Sequence, residues 1–225
     1  MDRRFRRRKF WRRRCRRTLV ECNNFKLFDM NMKKIIWIVV VVVVVLLVSG
    51  SCSAYNKMVK GEETVSTAWA DVEAQYQRRA DLIPNLVETV KGYAAHEQTT
   101  LTQVVEARTQ ALSFNLNVED LTPEKLAEYQ QAQQNVGSAL GRLIAIAEQY
   151  PDLKANQNFL ELQTQLEGTE NRIAVARTRF NDATKQFNIQ IRRFPANLIA
   201  NLFGFDQKPY FAADEGAQSV PQVSF

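Results

Sequence analysis

Apolar side chains recur at alternating steps of three and four residues through most of the chain beyond residue 64, and this spacing constrains the fold more than any other feature. In a first stretch the positions are Val65, Trp69, Val72 and Tyr76. A second holds Ile83, Val87, Val90, Ala94, Leu101, Val104 and Ala111, with Glu97 and Arg108 filling two empty steps. A third holds Leu126, Tyr129, Gln133, Val136, Leu140, Leu143, Ala147 and Tyr150. The fourth runs Phe159, Leu162, Leu166, Thr169, Ile173, Ala176, Phe180, Thr184, Phe187, Ile191 and Phe194. A helix puts such positions on one face, where they need a partner surface. No segment sustains the period of two that a half-buried strand needs. The expected fold class is therefore all-α, an antiparallel up-and-down four-helix bundle. Only 8 Gly and 6 Pro in 225 residues leave few points at which helices can break.

Those few breaks are legible. Thr122-Pro123-Glu124 reads as a helix start, with Thr as N-cap, Pro at the first helical position and Glu at the positive end. Tyr150-Pro151 and Phe194-Pro195 end the third and fourth stretches, because proline biases the residue before it away from helix. Residues 113–121 read as a loop. Pro84 supports two readings. It can lie in the first turn of a new helix behind a tight turn at Arg78-Arg79-Ala80, giving four helices. Alternatively the stripe, which stays in phase across it, belongs to one kinked helix, giving three. Ala196–Phe203 suggests a short apolar helical turn ended by Gly204. The domain reading is a basic leader over 1–31, a transmembrane signal-anchor over 32–54, the bundle over 55–205 and an irregular tail over 206–225. Phe205, Tyr210, Phe211 and Phe225 could pin parts of that tail to the bundle.

The N-terminal part makes its own demand. Ile35–Val48 is an unbroken apolar run of 14 residues, about 21 Å long as a helix. The small uncharged residues from Ser49 to Ala54 extend it towards the ~30 Å of a hydrocarbon core. In lipid such a segment must satisfy its own backbone, so it is a helix despite its valines. Met32-Lys33-Lys34 ahead of the run has the layout of an export signal or anchor, so translation is expected to start at Met32. Lys33 and Lys34 place the N-terminus in the cytoplasm and the bundle on the periplasmic or extracellular side. A rival reading takes Ser49-Gly50-Ser51-Cys52 as the end of a lipoprotein signal, with Cys52 lipidated. Ser49 stands where that pattern normally carries a larger apolar residue.

Net charge is +6, but it is unevenly placed. Residues 1–31 carry 12 of the 30 Lys and Arg and only 3 of the 24 Asp and Glu, so the remainder carries 18 basic against 21 acidic side chains. The helical part thus has no electrostatic reason to bind nucleic acid. Cys15, Cys22 and Cys52 leave no cysteine beyond residue 52 for a disulfide or a thiolate metal site. His96-Glu97 starts like a zinc-protease motif, but no second His follows, and His96 is the sole histidine. No cofactor, metal or small-molecule substrate is expected, and no catalysis. Gly137 and Gly141 form a GxxxG that reads as close packing against a neighbouring helix. Glu97, Arg108 and Arg177, at or beside stripe positions, either snorkel or form a buried pair. Arg78, Arg79, Asp81, Asn85 and Lys91 form a polar cluster at the proposed turn and are the candidate interaction surface.

Several phrases are distinctive. They are Arg78-Arg79-Ala80-Asp81-Leu82-Ile83-Pro84-Asn85-Leu86-Val87, Val90 to Glu97, Tyr150-Pro151-Asp152-Leu153-Lys154-Ala155-Asn156, Gln163 to Asn171, Ala174 to Arg177, and Phe194-Pro195 with Gly204-Phe205. On these the sequence resembles the LemA family of bacterial membrane proteins, from about Lys33 to Phe211. The resemblance implies a short N-terminal anchor followed by an up-and-down four-helix bundle; it implies no activity. The expected function is a membrane-tethered, non-enzymatic interaction or scaffold module of the cell envelope, with the membrane and another envelope protein as partners. A lipoprotein anchored through Cys52, or a lipid-binding or membrane-remodelling bundle, is the alternative.

Overall fold

The structure, a computed structural model, describes residues 32–114 and 116–212. The basic leader, the question of where translation starts and the expected role of Phe225 lie outside the described residues. All regular structure among the described residues is helical. These residues form six α-helices: α1 Met32–Lys91, α2 Gln98–Leu112, α3 Pro123–Ala147, α4 Pro151–Lys154, α5 Gln157–Arg192 and α6 Ala196–Phe203. A 3-10 turn, Val118–Asp120, lies in the stretch before α3.

The chain divides after Ser53 into two units, and α1 contributes to both. In the first unit the helix is long and apolar enough to cross a membrane, and none of its apolar window is buried. Every side chain from Ile35 to Val48 is exposed. A soluble protein does not leave 14 consecutive large apolar residues in water, because each buried methylene stabilises by roughly 0.8 kcal/mol. An exposed apolar helix of this length is consistent with membrane anchoring.

In the second unit the expected stripes are the buried faces. Along α5 the buried residues Phe159, Leu166, Thr169, Ile173, Ala176, Phe180, Thr184, Phe187 and Ile191 lie on the stripe read from the sequence, and Asn188 is buried beside it. Phe194 does not follow: it is 77% exposed, because α5 stops at Arg192 and the helical phase stops with it. The core has two clusters. One joins Ile83, Val90, Val104, Leu140, Leu143, Leu153 and Phe159 with their neighbours. The other joins Met58, Val65, Trp69, Val72, Tyr129, Phe180, Phe187 and Phe211 with theirs. Along the helices, Trp69 lies beside Phe180 and Tyr129, and Arg79 beside Glu170 and Gln133. A Cβ at Gly61 would lie 3.1 Å from Phe187 Cδ2 and 3.2 Å from Gln190 Oε1, so α1 and α5 approach closely there. By contrast a Cβ at Gly141 meets nothing within 4 Å, and one at Gly137 sits an ordinary 4.0 Å from Arg79 Nη1. The GxxxG of α3 is therefore not a close-packing motif.

The expected turn at Arg78-Arg79-Ala80 is absent. α1 runs through it and through Pro84, and the chain breaks later, between Lys91 and Gln98. Neither reading of Pro84 placed the break there. The reason α1 can pass Pro84 is on the neighbouring helix. Proline has no N–H for the carbonyl four residues back, which is that of Ala80. Arg108 Nε on α2 donates to that oxygen at 2.8 Å. The charged residue that occupied an empty step of the stripe thus completes the proline's missing hydrogen bond.

Other ends follow local chemistry. Thr122 Oγ1 accepts from Lys125 N, and Pro123 opens α3. Glu124, in the first turn, has its carboxyl held below the usual range by its own backbone N–H and by Thr122. Gly204, at φ 76°, ends α6 in the left-handed region, where a Cβ would be strained.

Candidate functional site

A polar layer separates the two apolar clusters. On α1 one cluster reaches Tyr76 and the other resumes at Ile83. On α3 the gap falls between Tyr129 and Val136, and on α5 between Leu166 and Ile173. Arg79 projects into this gap from α1 and is 4% exposed. Its Nη1 donates to Glu170 Oε1 on α5 at 2.9 Å. Its Nη2 donates to the Gln133 carbonyl at 3.0 Å and to Gln133 Oε1 at 2.6 Å on α3. The guanidinium carbon lies 5.1 Å from the Tyr76 ring centre. Three of its five N–H donors are thereby used in tying α1, α3 and α5 together. Burial of a charge is tolerated only when it is paired and hydrogen-bonded in this way. Thr169, fully buried beside Glu170, returns its hydroxyl to Gln165 O at 2.7 Å.

Clefts open on both sides of Arg79. The larger, about 420 Å³, is lined by Gln130, Gln133, Gln134, Ser138, Glu170 and Arg177 among others. The smaller, about 110 Å³, includes Glu73, Ala80, Arg108, Tyr129 and Gln133 in its wall. Burial raises the Glu73 carboxyl above its ordinary range. It also raises the Tyr129 hydroxyl, with Tyr76 and Glu73 adding to the effect and Gln133 and Arg79 opposing it. Amides, guanidinium groups and one carboxylate dominate the larger wall. That is a set for holding a geometry or a polar group, and it pairs no nucleophile with a base. Among the described residues no group of three or more His, Cys, Asp and Glu converges to hold a metal ion.

A second polar device follows Gly204. Asn188 Nδ2 donates to Lys208 O at 2.8 Å while Lys208 N donates to Asn188 Oδ1 at 3.0 Å. Asn181 repeats this with Phe211, at 3.2 and 2.9 Å. Two asparagines two helical turns apart therefore pair with an extended segment as a neighbouring strand would. Phe211 is buried against Trp69 and Phe180, and Arg177 lies over its ring at 5.1 Å. Lys208 Nζ reaches Glu62 at 3.2 Å. The tail is irregular over 206–212, and Phe211 pins it, as the sequence suggested. The asparagine pairings had no sequence signal beyond two polar residues flanking a stripe.

The residues singled out from sequence separate. Arg78, Asp81 and Asn85 share the exposed outer face of α1, where Gln77 Nε2 donates to Asp81 at 2.8 Å. Lys91 is exposed at the end of α1, with Glu88 at 3.8 Å. Arg79 alone points inward. No turn gathers them into one cluster. Cys52 is free and exposed on α1. Arg177 donates to Ala212 O at 3.0 Å, and Glu97 accepts from the Tyr150 hydroxyl at 3.4 Å. Nothing in the sequence marked Gln133 and Glu170 as its partners: Gln133 stands on the third stripe and Glu170 within the distinctive Gln163 to Asn171 phrase.

The LemA family model matches residues 68–225. The chain belongs to the LemA family. The family match takes in Arg79, Gln133 and Glu170, the Pro84–Arg108 pair and both asparagines of the tail. The apolar run of α1 precedes it. Magnetosome proteins MamQ 2 and MamQ 1 of Paramagnetospirillum magneticum are each 30% identical over 174 residues, covering 70% of this chain and 64% of theirs. The chain thus spans under two thirds of the length of those relatives. Protein LemA of Metamycoplasma hominis is 26% identical over 160 residues, covering 71% of this chain and 69% of its own.

Proposed function

We propose that this LemA-family chain is a membrane-tethered, non-enzymatic scaffold of the bacterial cell envelope that presents a helical module to a protein partner. The carrying observation is the contrast between its parts: a wholly exposed apolar helix long enough to span a bilayer, joined to a helical unit whose buried charge is tied inward. The second unit is read as a four-helix bundle of α1, α2, α3 and α5. Gly61 beside Phe187, Trp69 beside Phe180 and Arg79 beside Glu170 support α1 and α5 running antiparallel, and Ala80 beside Arg108 with Trp69 beside Leu116 support the same for α1 and α2. The N-terminus lies in the cytoplasm and the bundle on the far side, in keeping with Lys33 and Lys34 ahead of the span.

The test is crosslinking in intact cells, with photoreactive side chains at exposed positions of the α1 and α5 surface, followed by purification from membranes. Recovery of one protein at a fixed ratio from a restricted set of positions is expected. Crosslinks spread over many proteins in proportion to their abundance would contradict the reading.

A further inference from the structure

The apolar residues of the second unit are not all inside. Phe194, Leu198 and Leu202, spaced by four, are 77%, 61% and 78% exposed, and Phe203 is 57% exposed. Leu198, Leu202 and Phe203 lie on α6, which anchors itself to the core through Ala200 on its other side. Such a run of large apolar groups in water needs an occupant. Chain connectivity identifies it. Tyr55 follows directly on the apolar and small-residue stretch that ends at Ala54, so in a membrane it sits where the chain leaves the hydrocarbon. Its ring centre lies 4.9 Å from that of Phe203 and 5.7 Å from that of Phe205. The exposed end of α6 is therefore within one ring contact of the bilayer boundary, whatever direction the span takes. Aromatic side chains are favoured at that depth. Charge agrees: Lys57, Arg192 and Arg193 are exposed beside these residues, while the stretch 192–206 carries one acidic residue, Asp206.

We propose that α6 with Phe194 is an interfacial helix that lies in the headgroup and upper acyl region of the same bilayer that α1 crosses, with Arg192, Arg193 and Lys57 on anionic headgroups. It holds the helical unit to the membrane at a second point. The inference rests on the membrane-anchored reading.

The experiment uses the full chain, with Cys15, Cys22 and Cys52 replaced by Ser, reconstituted in vesicles of phosphatidylethanolamine and phosphatidylglycerol. A nitroxide is placed in turn through Val43→Cys, Leu202→Cys and Gln165→Cys, all at exposed sites. Its collisions with lipid-soluble oxygen and with a water-soluble nickel chelate are compared. Oxygen should dominate at residues 43 and 202, and nickel at residue 165. Oxygen at 43 with nickel at 202 overturns the interfacial helix and leaves the anchor standing. A label at 202 shielded from both reagents also overturns it, since protein then covers the face. Nickel at 43 removes the anchor and the inference with it.

Discussion

Arg79 carries the most consequence of any single residue. Removing one partner of a buried pair typically costs about 3–5 kcal/mol, because the other charge is stranded. Glu170, however, is 45% exposed at its side chain and can be solvated. The main losses in Arg79→Ala are the bonds to Gln133 and the packing on Tyr76. We expect it to destabilise by about 2–3 kcal/mol, and Glu170→Ala by under about 1 kcal/mol, as read by denaturant titration of the full chain in detergent. Equal losses would mean that the ion pair, not the guanidinium's inward bonds, carries the layer. The sequence marked Arg79 as important but placed it on a surface. Nothing in a string of residues distinguishes an outward arginine from one whose acceptors come from residues 54 and 91 positions away.

Elements were more legible than their joins. The stripes identified the buried faces because side-chain burial follows the 3.6-residue period wherever the helix continues. They failed at Phe194, where it does not. The break between Lys91 and Gln98 was missed because the stripe stays in phase across it, and because Pro84 carries a break signal that Arg108 cancels. That cancellation is measurable. Arg108→Ala should destabilise wild type by leaving the Ala80 carbonyl without its donor, and should cost less where Pro84→Ala restores a backbone donor. A coupling energy of about 0.5–3 kcal/mol is expected from the double-mutant cycle. Strict additivity would show that Arg108 acts elsewhere. The tail offers a second case. In wild type the amides of Lys208 and Phe211 should exchange slowly with solvent. Asn188→Ala should release Lys208, and Asn181→Ala should release Phe211, each losing about 1–3 kcal/mol of protection. Unchanged exchange in both variants would show that Phe211 alone secures the segment.

At the scale of the whole molecule, two solvents shape one chain in the proposed membrane-anchored reading. Lipid requires a helix that satisfies its own backbone and tolerates an unbroken apolar surface, which Ile35–Val48 provides. Water requires faces that close on one another, and the 3-4 stripes provide those. An all-helical fold and an N-terminal helix long and apolar enough to cross a membrane were readable from sequence, because both follow from periodicity and run length. The polar layer was not, since it depends on which helices meet at which height. The most direct test of the account is the side of the membrane on which the helical unit sits. Paired fusions after Phe225, one to a reporter active only in the periplasm and one to a reporter active only in the cytoplasm, give that answer in living cells. Activity of the periplasmic reporter alone is expected; activity of the cytoplasmic reporter alone would contradict it.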